Sequence, residues 1–307
     1  MIKKIHIKKD YDVRLDKYLK NLFTSLTQSF IEKNIRKKNI LINNTKTKAN
    51  YVVKLNDNLI ILNFHEELYK NKIIYKKNIK IVDKDLKNFN KSIIFQNDDF
   101  LVINKWTEIA TQGGSKVNVS IDHIIKNVNS NYRLVHRLDK ETSGLLLISK
   151  NLKYARYFST LFKDKLITKF YIALCEGSPK NKNSKVLLNI KNKNQEIEKT
   201  VTNYCVIGNK NNITQILYNP ETGKTHQLRK VSKNLGCSII GDQKYNINSK
   251  YKSEKLMLHA FALNFTINRK KFRFTSEIPN RFQTFMQKNK IKFKKNFEKE
   301  LNNFKFL

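Results

Sequence analysis

Three short stretches of this 307-residue chain concentrate polar and ionisable side chains. The first is Arg133-Leu134-Val135-His136-Arg137-Leu138-Asp139-Lys140-Glu141-Thr142-Ser143-Gly144, directly ahead of the apolar run Leu145-Leu146-Leu147-Ile148. A loop rich in such groups and anchored to a core strand is an expected seat of function. The second is Lys169-Phe170-Tyr171, at the start of a strand-like run. The third is Thr222-Gly223-Lys224-Thr225-His226-Gln227-Leu228-Arg229, which opens a helix-like run. Asp139 and Tyr171 lie 32 positions apart, and Tyr171 and Arg229 lie 58 apart, so any joint site is made by folding.

Several familiar chemistries fail on spacing. Gly223-Lys224-Thr225 hints at a phosphate loop, but Tyr218 stands where that motif needs glycine. His136-Arg137-Leu138-Asp139 echoes a kinase catalytic loop, yet Leu138 interrupts it and neither a Gly-rich loop nor Asp-Phe-Gly is present. No serine sits in a G-x-S-x-G elbow. The six histidines never take metal-ligand spacing. Cys175, Cys205 and Cys237 form no CxxC pair, which argues against a zinc site or a disulfide framework and suits a reducing cytoplasm.

The surrounding pattern predicts the elements that must position these groups. Residues 13–24 and 27–37 read as amphipathic helices, with Leu15, Leu19, Ile31 and Ile35 inward and Lys17, Lys33, Arg36 and Lys37 outward. Ser25 and Gln28 have the spacing of a capping box. Residues 39–43 and 59–62 read as strands, which makes 1–64 a small basic α+β domain. Residues 65–90 read as a linker, and a larger domain is expected over 91–307. Strands are expected at 92–95, 100–104, 145–148, 167–174, 200–207 and 213–218, with a closing pair over 256–275. Helices are expected at 151–163 and 226–235, the second ending at Gly236. The tail 288–307 carries Phe293, Phe297, Leu301 and Phe304 at helical spacing and reads as a packing helix. The fold class expected is α+β with a largely antiparallel, mixed sheet.

Composition bounds the partners. Hydrophobic residues make up 40% of the chain, enough for a real core and too much for global disorder. No window is long and apolar enough for a transmembrane helix, and the first residues lack the apolar run of a signal peptide. The formal net charge is +36, from 61 Lys and Arg against 25 Asp and Glu. That balance favours a polyanion such as nucleic acid. Lysine supplies 52 of the cations beside abundant Asn and Ile, so compositional bias accounts for part of the charge.

The stretch His136–Leu147 resembles the signature of RNA pseudouridine synthases of the RluA family, in its RluC/RluD branch. Asp98-Asp99-Phe100-Leu101-Val102-Ile103-Asn104-Lys105 resembles the family's opening strand, and Lys169-x-Tyr171 with Gly177 resembles its tyrosine motif. Thr222–Arg229, Leu235-Gly236 and Gly241-Asp242-x-x-Tyr245 resemble its arginine motif. Leu258-His259-Ala260 and Pro279 fit its closing segment, and Thr111–Lys116 leans towards the RluC side. Residues 13–62 are similar to an S4 RNA-binding domain. The chain departs from the family pattern at Trp106, where proline is usual, at Lys224, where arginine is usual, and at Leu228, where isoleucine is usual.

The resemblance implies isomerisation of uridine to pseudouridine in RNA, with 23S ribosomal RNA or a precursor large subunit as partner. It implies no cofactor, no metal, no membrane, a cytoplasmic location and a monomer. Asp139 would be the nucleophile, Tyr171 would stack on the flipped base or take its proton, and Arg229 would stand beside the aspartate, favouring its charged form. Arg137, His136 and Lys169 would contact RNA, with His136 equally readable as a packed loop residue. Thr225, His226 and Gln227 sit at a helix N-terminus that suits phosphate. Arg14, Lys17, Lys33, Arg36 and Lys37 are expected backbone contacts of the first domain. The alternative reading is a non-catalytic RNA-binding or ribosome-assembly factor with the same fold.

Overall fold

The computed structural model describes residues 1–71, 81–114, 117–192 and 195–292. The chain divides into two compact units, Met1–Asn78 and Ile79–Leu307. In the first, β1 (Lys3–His6) precedes α1 (Leu15–Leu22) and α2 (Gln28–Arg36). β2 (Ile40–Ile42), β3 (Thr45–Lys46) and β4 (Asn58–Ile61) follow, and the sheet order is β1-β4-β2-β3. Leu15, Leu19, Ile31 and Ile35 are buried with Ile40, Leu59 and Ile61, because one apolar stripe per helix faces one sheet face. The cap of α2 is Thr27, which accepts from the Phe30 amide at 3.2 Å. Ser25 instead ties down residues 68–70, donating to the Leu68 carbonyl at 2.7 Å and accepting from the Lys70 amide at 3.0 Å. The Ser25–Gln28 capping box expected from the spacing is therefore absent, and β1 is an element that the spacing did not reveal.

The second unit begins with α3 (Asp83–Ser92), β5 (Ile93–Gln96), β6 (Phe100–Lys105), α4 (Ile121–Val128), β7 (Arg133–Leu134) and β8 (Ser143–Ser149). It continues with α5 (Leu152–Lys163), β9 (Thr168–Glu176), β10 (Asn183–Lys191), β11 (Ile197–Lys210), β12 (Ile213–Pro220) and α6 (Gln227–Asn234). It closes with β13 (Ser238–Ile239), β14 (Leu258–Ile267), β15 (Lys270–Thr275) and α7 (Asn280–Lys288). The main sheet runs β10-β11-β12-β9-β14-β8-β6-β5, with β13, β15 and β7 pairing off that path. Among the named strands of the described residues only β14 and β8 pair in parallel, beside one isolated parallel bridge between Ala110 and Ser120. The fold is α+β with a mostly antiparallel sheet.

Strands β6 and β8 read as continuous apolar runs because both faces are covered. Leu101, Ile103, Leu146 and Ile148 pack with Ile121, Ile124 and Ile125 of α4. Their neighbours Phe100, Val102, Leu145 and Leu147 pack with Phe158 and Leu161 of α5. A third core seats Val231 of α6 and Phe282, Phe285 and Met286 of α7 on Ile172, Leu174, Ile216 and Tyr218. Strand β10, which the sequence left unassigned, exposes Lys185, Leu187, Asn189 and Lys191 between the covered Val186, Leu188 and Ile190, and among the described residues it pairs only with β11 at the sheet edge. Helices α4 and α7 are also additional to the expected elements.

The stretch 65–90 carries more structure than a linker. Tyr69 is buried in the first core and stacks edge-on to Phe23 and Phe30, and α3 buries Phe89 in the second unit. The expected tail helix lies, from residue 293 onward, outside the described residues.

Candidate active site

Asp139 occupies a loop whose backbone is fixed on every side. Thr111 is buried and clamps Leu138, its hydroxyl donating to the Leu138 carbonyl at 2.6 Å and accepting from the Leu138 amide at 3.1 Å. Lys105 is fully buried, and its ammonium donates to the carbonyls of Trp106 and Ile109 at 3.0 Å and of Lys140 at 3.3 Å. Burial pulls the Lys105 pKa down to about 7, against the opposing charges of Asp139 and Glu141. Thr107 donates to the Glu141 carbonyl at 2.9 Å, and the Thr142 amide closes a turn on the Asp139 carbonyl at 3.1 Å. The half-buried Asp139 carboxylate itself takes no hydrogen bond or ion pair among the described residues. The loop thus holds an acid in place while leaving its oxygens free.

Gly144 ends the loop and requires its residue type. Its φ is +114°, and a Cβ there would lie 2.2 Å from the Ala260 carbonyl oxygen. This close approach lets β8 and β14 run in parallel, with His259 opposite Ser143 and Ala260 opposite Gly144. Ala260 also registers against Tyr171 on β9. Sheet pairing therefore brings the first two polar stretches to one place.

Asp139, Tyr171, Lys169 and Arg229 line one cavity of about 100 Å³. Burial, and then the charge of Asp139, push the Tyr171 hydroxyl above its ordinary value, so it stays protonated at neutral pH. The cavity shares Arg137, Asp139, Thr225 and His226 with a larger groove of about 690 Å³. Lys140, Lys191, Lys230 and Lys244 line that groove, a setting that favours an anionic chain.

Arg229 is brought to the cavity but does not hold Asp139 directly. Its guanidinium grips Asp242 with two hydrogen bonds of 2.7 and 2.8 Å, and Glu141 stands 3.6 Å from its other terminal nitrogen. Asp242 is also bound by the amides of Lys244 and Tyr245, both at 3.0 Å. Burial works to raise Asp242, and the bonds from Arg229 and these amides outweigh it, keeping the acid ionised. Asp139 lies near enough for its charge to reach Arg229 through space, as a contribution smaller than those of Asp242 and Glu141.

The remaining expected residues divide. Arg137 is exposed at the mouth, 3.5 Å from the Gln112 side chain. Lys169 and the exposed Thr225 line the cavity. His226 sits in the left-handed region at φ +55°, opens α6 and meets the Tyr245 hydroxyl at 3.1 Å. Two residues expected to contact RNA are used inside the fold. His136 accepts the Leu147 amide at 2.8 Å and packs its ring on Phe162, and burial with the charge of Lys169 lowers its pKa to about 3. Such an imidazole carries no charge for a phosphate.

Gln227 is likewise buried and spends its whole amide. It donates to the Val201 carbonyl and the Thr202 hydroxyl, and it accepts from the Thr222 hydroxyl and the Lys224 amide. In the first unit Lys17, Lys33, Arg36 and Lys37 are exposed, whereas Arg14 forms a bidentate pair with Asp16 at 2.7 and 3.1 Å.

Sequence reasoning did not assign site roles to Lys105, Glu141, Asp242 or Arg281. A signal existed for two of them: a lysine closing the apolar run Phe100–Asn104, and the Gly241-Asp242-x-x-Tyr245 pattern.

A family profile of RNA pseudouridylate synthases matches residues 99–234, and an S4 domain profile matches residues 13–59. The ribosomal large subunit pseudouridine synthase C of Rickettsia prowazekii (strain Madrid E) is 38% identical over 291 residues, 87% of this chain and 94% of that protein. The chain belongs to the RNA pseudouridine synthase family. The ribosomal large subunit pseudouridine synthase D of Borreliella burgdorferi is 28% identical, across 92% of this chain and 93% of that protein. Among solved structures, human RNA pseudouridylate synthase domain containing 4 shares the fold with a TM-score of 0.60, over 67% of this chain and 96% of that one, at 22% identity. The synthase profile spans Asp139, Tyr171 and Arg229, the three side chains that the fold gathers into the cavity.

Proposed function

We propose that this synthase converts uridine to pseudouridine in large-subunit ribosomal RNA. The N1–C1′ bond breaks, the base turns, and C5 joins C1′. Asp139 is the nucleophile. The observation that carries this reading is a carboxylate that takes no hydrogen bond or ion pair among the described residues, in a held loop, lining one cavity with Tyr171 and Arg229. A stacked uridine must leave its helix to reach such a cavity, and the Tyr171 ring offers it a new stacking face. The buried Tyr171 hydroxyl stays protonated at neutral pH, so stacking is its first role. Arg229, held by Asp242, supplies fixed positive charge to the acid and to the charge that develops beside it.

Arg137 stands at the cavity mouth, where it can fill the gap left by the flipped base. The cationic groove receives the flanking strand, and the exposed lysines of the first unit add salt-dependent backbone contacts. The relatives from Rickettsia prowazekii and Borreliella burgdorferi act, by their names, on the large ribosomal subunit, which supports 23S ribosomal RNA or its precursor particle as substrate. Cys175, Cys205 and Cys237 form no disulfide among the described residues, which fits the cytoplasm as the place of action. Mapping pseudouridine in large-subunit RNA with and without the gene tests the proposal. Loss of one or more positions is expected, and an unchanged map overturns the substrate.

A further inference from the structure

Behind the cavity, four polar side chains form one continuous chain. Arg281 donates to the Ser143 hydroxyl at 2.6 Å, Ser143 meets His259 Nδ1 at 2.8 Å, and His259 Nε2 meets the Ser276 hydroxyl at 2.7 Å. Ser276 in turn reaches the carbonyls of Ala260 and Phe261, both at 3.3 Å. Ser143, His259 and Ser276 are buried.

The direction of this chain follows from its first member. A guanidinium only donates, so Ser143 accepts from Arg281 and gives its own proton to His259 Nδ1. Nε2 then carries the imidazole proton and donates to Ser276, which donates onward to the backbone. A neutral His259 is what this order requires. Burial and then Arg281 lower its pKa to about 3, in keeping with that.

The chain surrounds the junction described above. Ser143 and Gly144 end the Asp139 loop, His259 and Ala260 pair with them, and Ala260 also pairs with Tyr171. The register of β14 on β9 breaks between Ala260 and Ala262, at the point where Ser276 binds the backbone. A bulge re-aims side chains, and here it lies between the elements that carry the acid and the tyrosine.

We propose that Ser143, His259, Ser276 and Arg281 are positioning residues, a directed hydrogen-bond chain that sets the spacing between Asp139 and Tyr171 and so controls turnover and not RNA binding. The inference rests on the reaction proposed above. None of the four lines the catalytic cavity, so they act through the backbone that carries the reacting groups.

The test uses the full-length protein and tritium release from C5 of a large-subunit RNA transcript. Ser143→Ala deletes one hydroxyl, leaving the Arg281 donor and His259 Nδ1 without it. Its kcat is expected to fall about tenfold with KM within about twofold, because small misplacements of reacting groups cost rate. Ser276→Ala, at the far end, is expected to do the same. The double variant is expected to lose about tenfold and not a hundredfold, since links of one chain are not independent. A purely structural role would lower the unfolding midpoint without separating kcat from KM. If Ser143→Ala does not fold, Ser276→Ala gives the same reading. Wild-type turnover in both single variants, or losses that multiply in the double, overturn the inference alone. A wild type that releases no tritium overturns the proposed reaction and this inference with it.

Discussion

Asp16 of the first unit and Asp139 of the second are both acids held in well-ordered surroundings, and their environments are opposite. Asp16 is 3% exposed and saturated: Arg14 binds it twice, Gln28 donates at 2.8 Å and the Lys17 amide at 2.9 Å. Its hydrogen bonds join α1 to α2, so its ionisation serves the fold. Around Asp139 the same resources go to the backbone. Thr111, Lys105 and Thr107 hold the carbonyls of residues 138, 140 and 141, and the carboxylate remains open to the cavity. A satisfied acid stabilises; an acid that is held but unsatisfied can react. Asp242 stands between the two cases, saturated like Asp16 but spent on orienting Arg229.

The largest expected effect is at the open acid. Asp139→Ala should lower turnover by at least about a thousandfold while RNA affinity and the unfolding midpoint stay close to wild type. Tritium release paired with a filter-binding titration measures both. Residual turnover near wild type would mean that Asp139 is as structural as Asp16. Asp242→Asn comes next, because it should affect both properties at once. Breaking a buried pair costs about 3 kcal/mol, and the loosened Arg229 should reduce kcat by about tenfold or more. Denaturant unfolding and the tritium assay together read this, and a stability loss with full activity would detach Arg229 from the reaction.

The smallest effect is expected at Asp16. Asp16→Asn should cost about 1–2 kcal/mol of folding stability and leave kcat unchanged. Its pH dependence has a definite sign. Burial alone would raise the Asp16 pKa, but the bonds from Arg14 and Gln28 outweigh burial and set it below the ordinary value. The stability it supplies is therefore complete above the unfolded-state value near 3.8 and is lost as pH falls through the lower folded-state value. Acid unfolding below about pH 4 should be less steep in Asp16→Asn than in wild type. An unchanged acid limb would show that Asp16 is not the saturated acid described here.

Much of the fold was legible because it rests on local periodicity. The continuous apolar runs of β6 and β8 and the i, i+4 leucines of α1 are properties of adjacent residues, and tertiary packing only completed them. Strand β10 was not legible, because one covered edge permits lysine and asparagine where a central strand would not. At the site, the sequence pointed to the stretches holding Asp139, Tyr171 and Arg229 by their density of polar groups. It could not assign the work of each side chain. Gln227 and His136 look like ligand-binding residues until the fold supplies Val201, Thr202 and Leu147 as their partners.

Residue type and order thus determined most of the elements, the basic character and the polar stretches that hold the proposed reactive acid. Which polar groups are spent on the fold and which stay available was decided only by tertiary structure. Hydrogen bonds saturate, and the partners that saturate them come from distant parts of the chain: position 242 for Arg229, position 259 for Ser143, and for the Asp139 carboxylate none of the described residues.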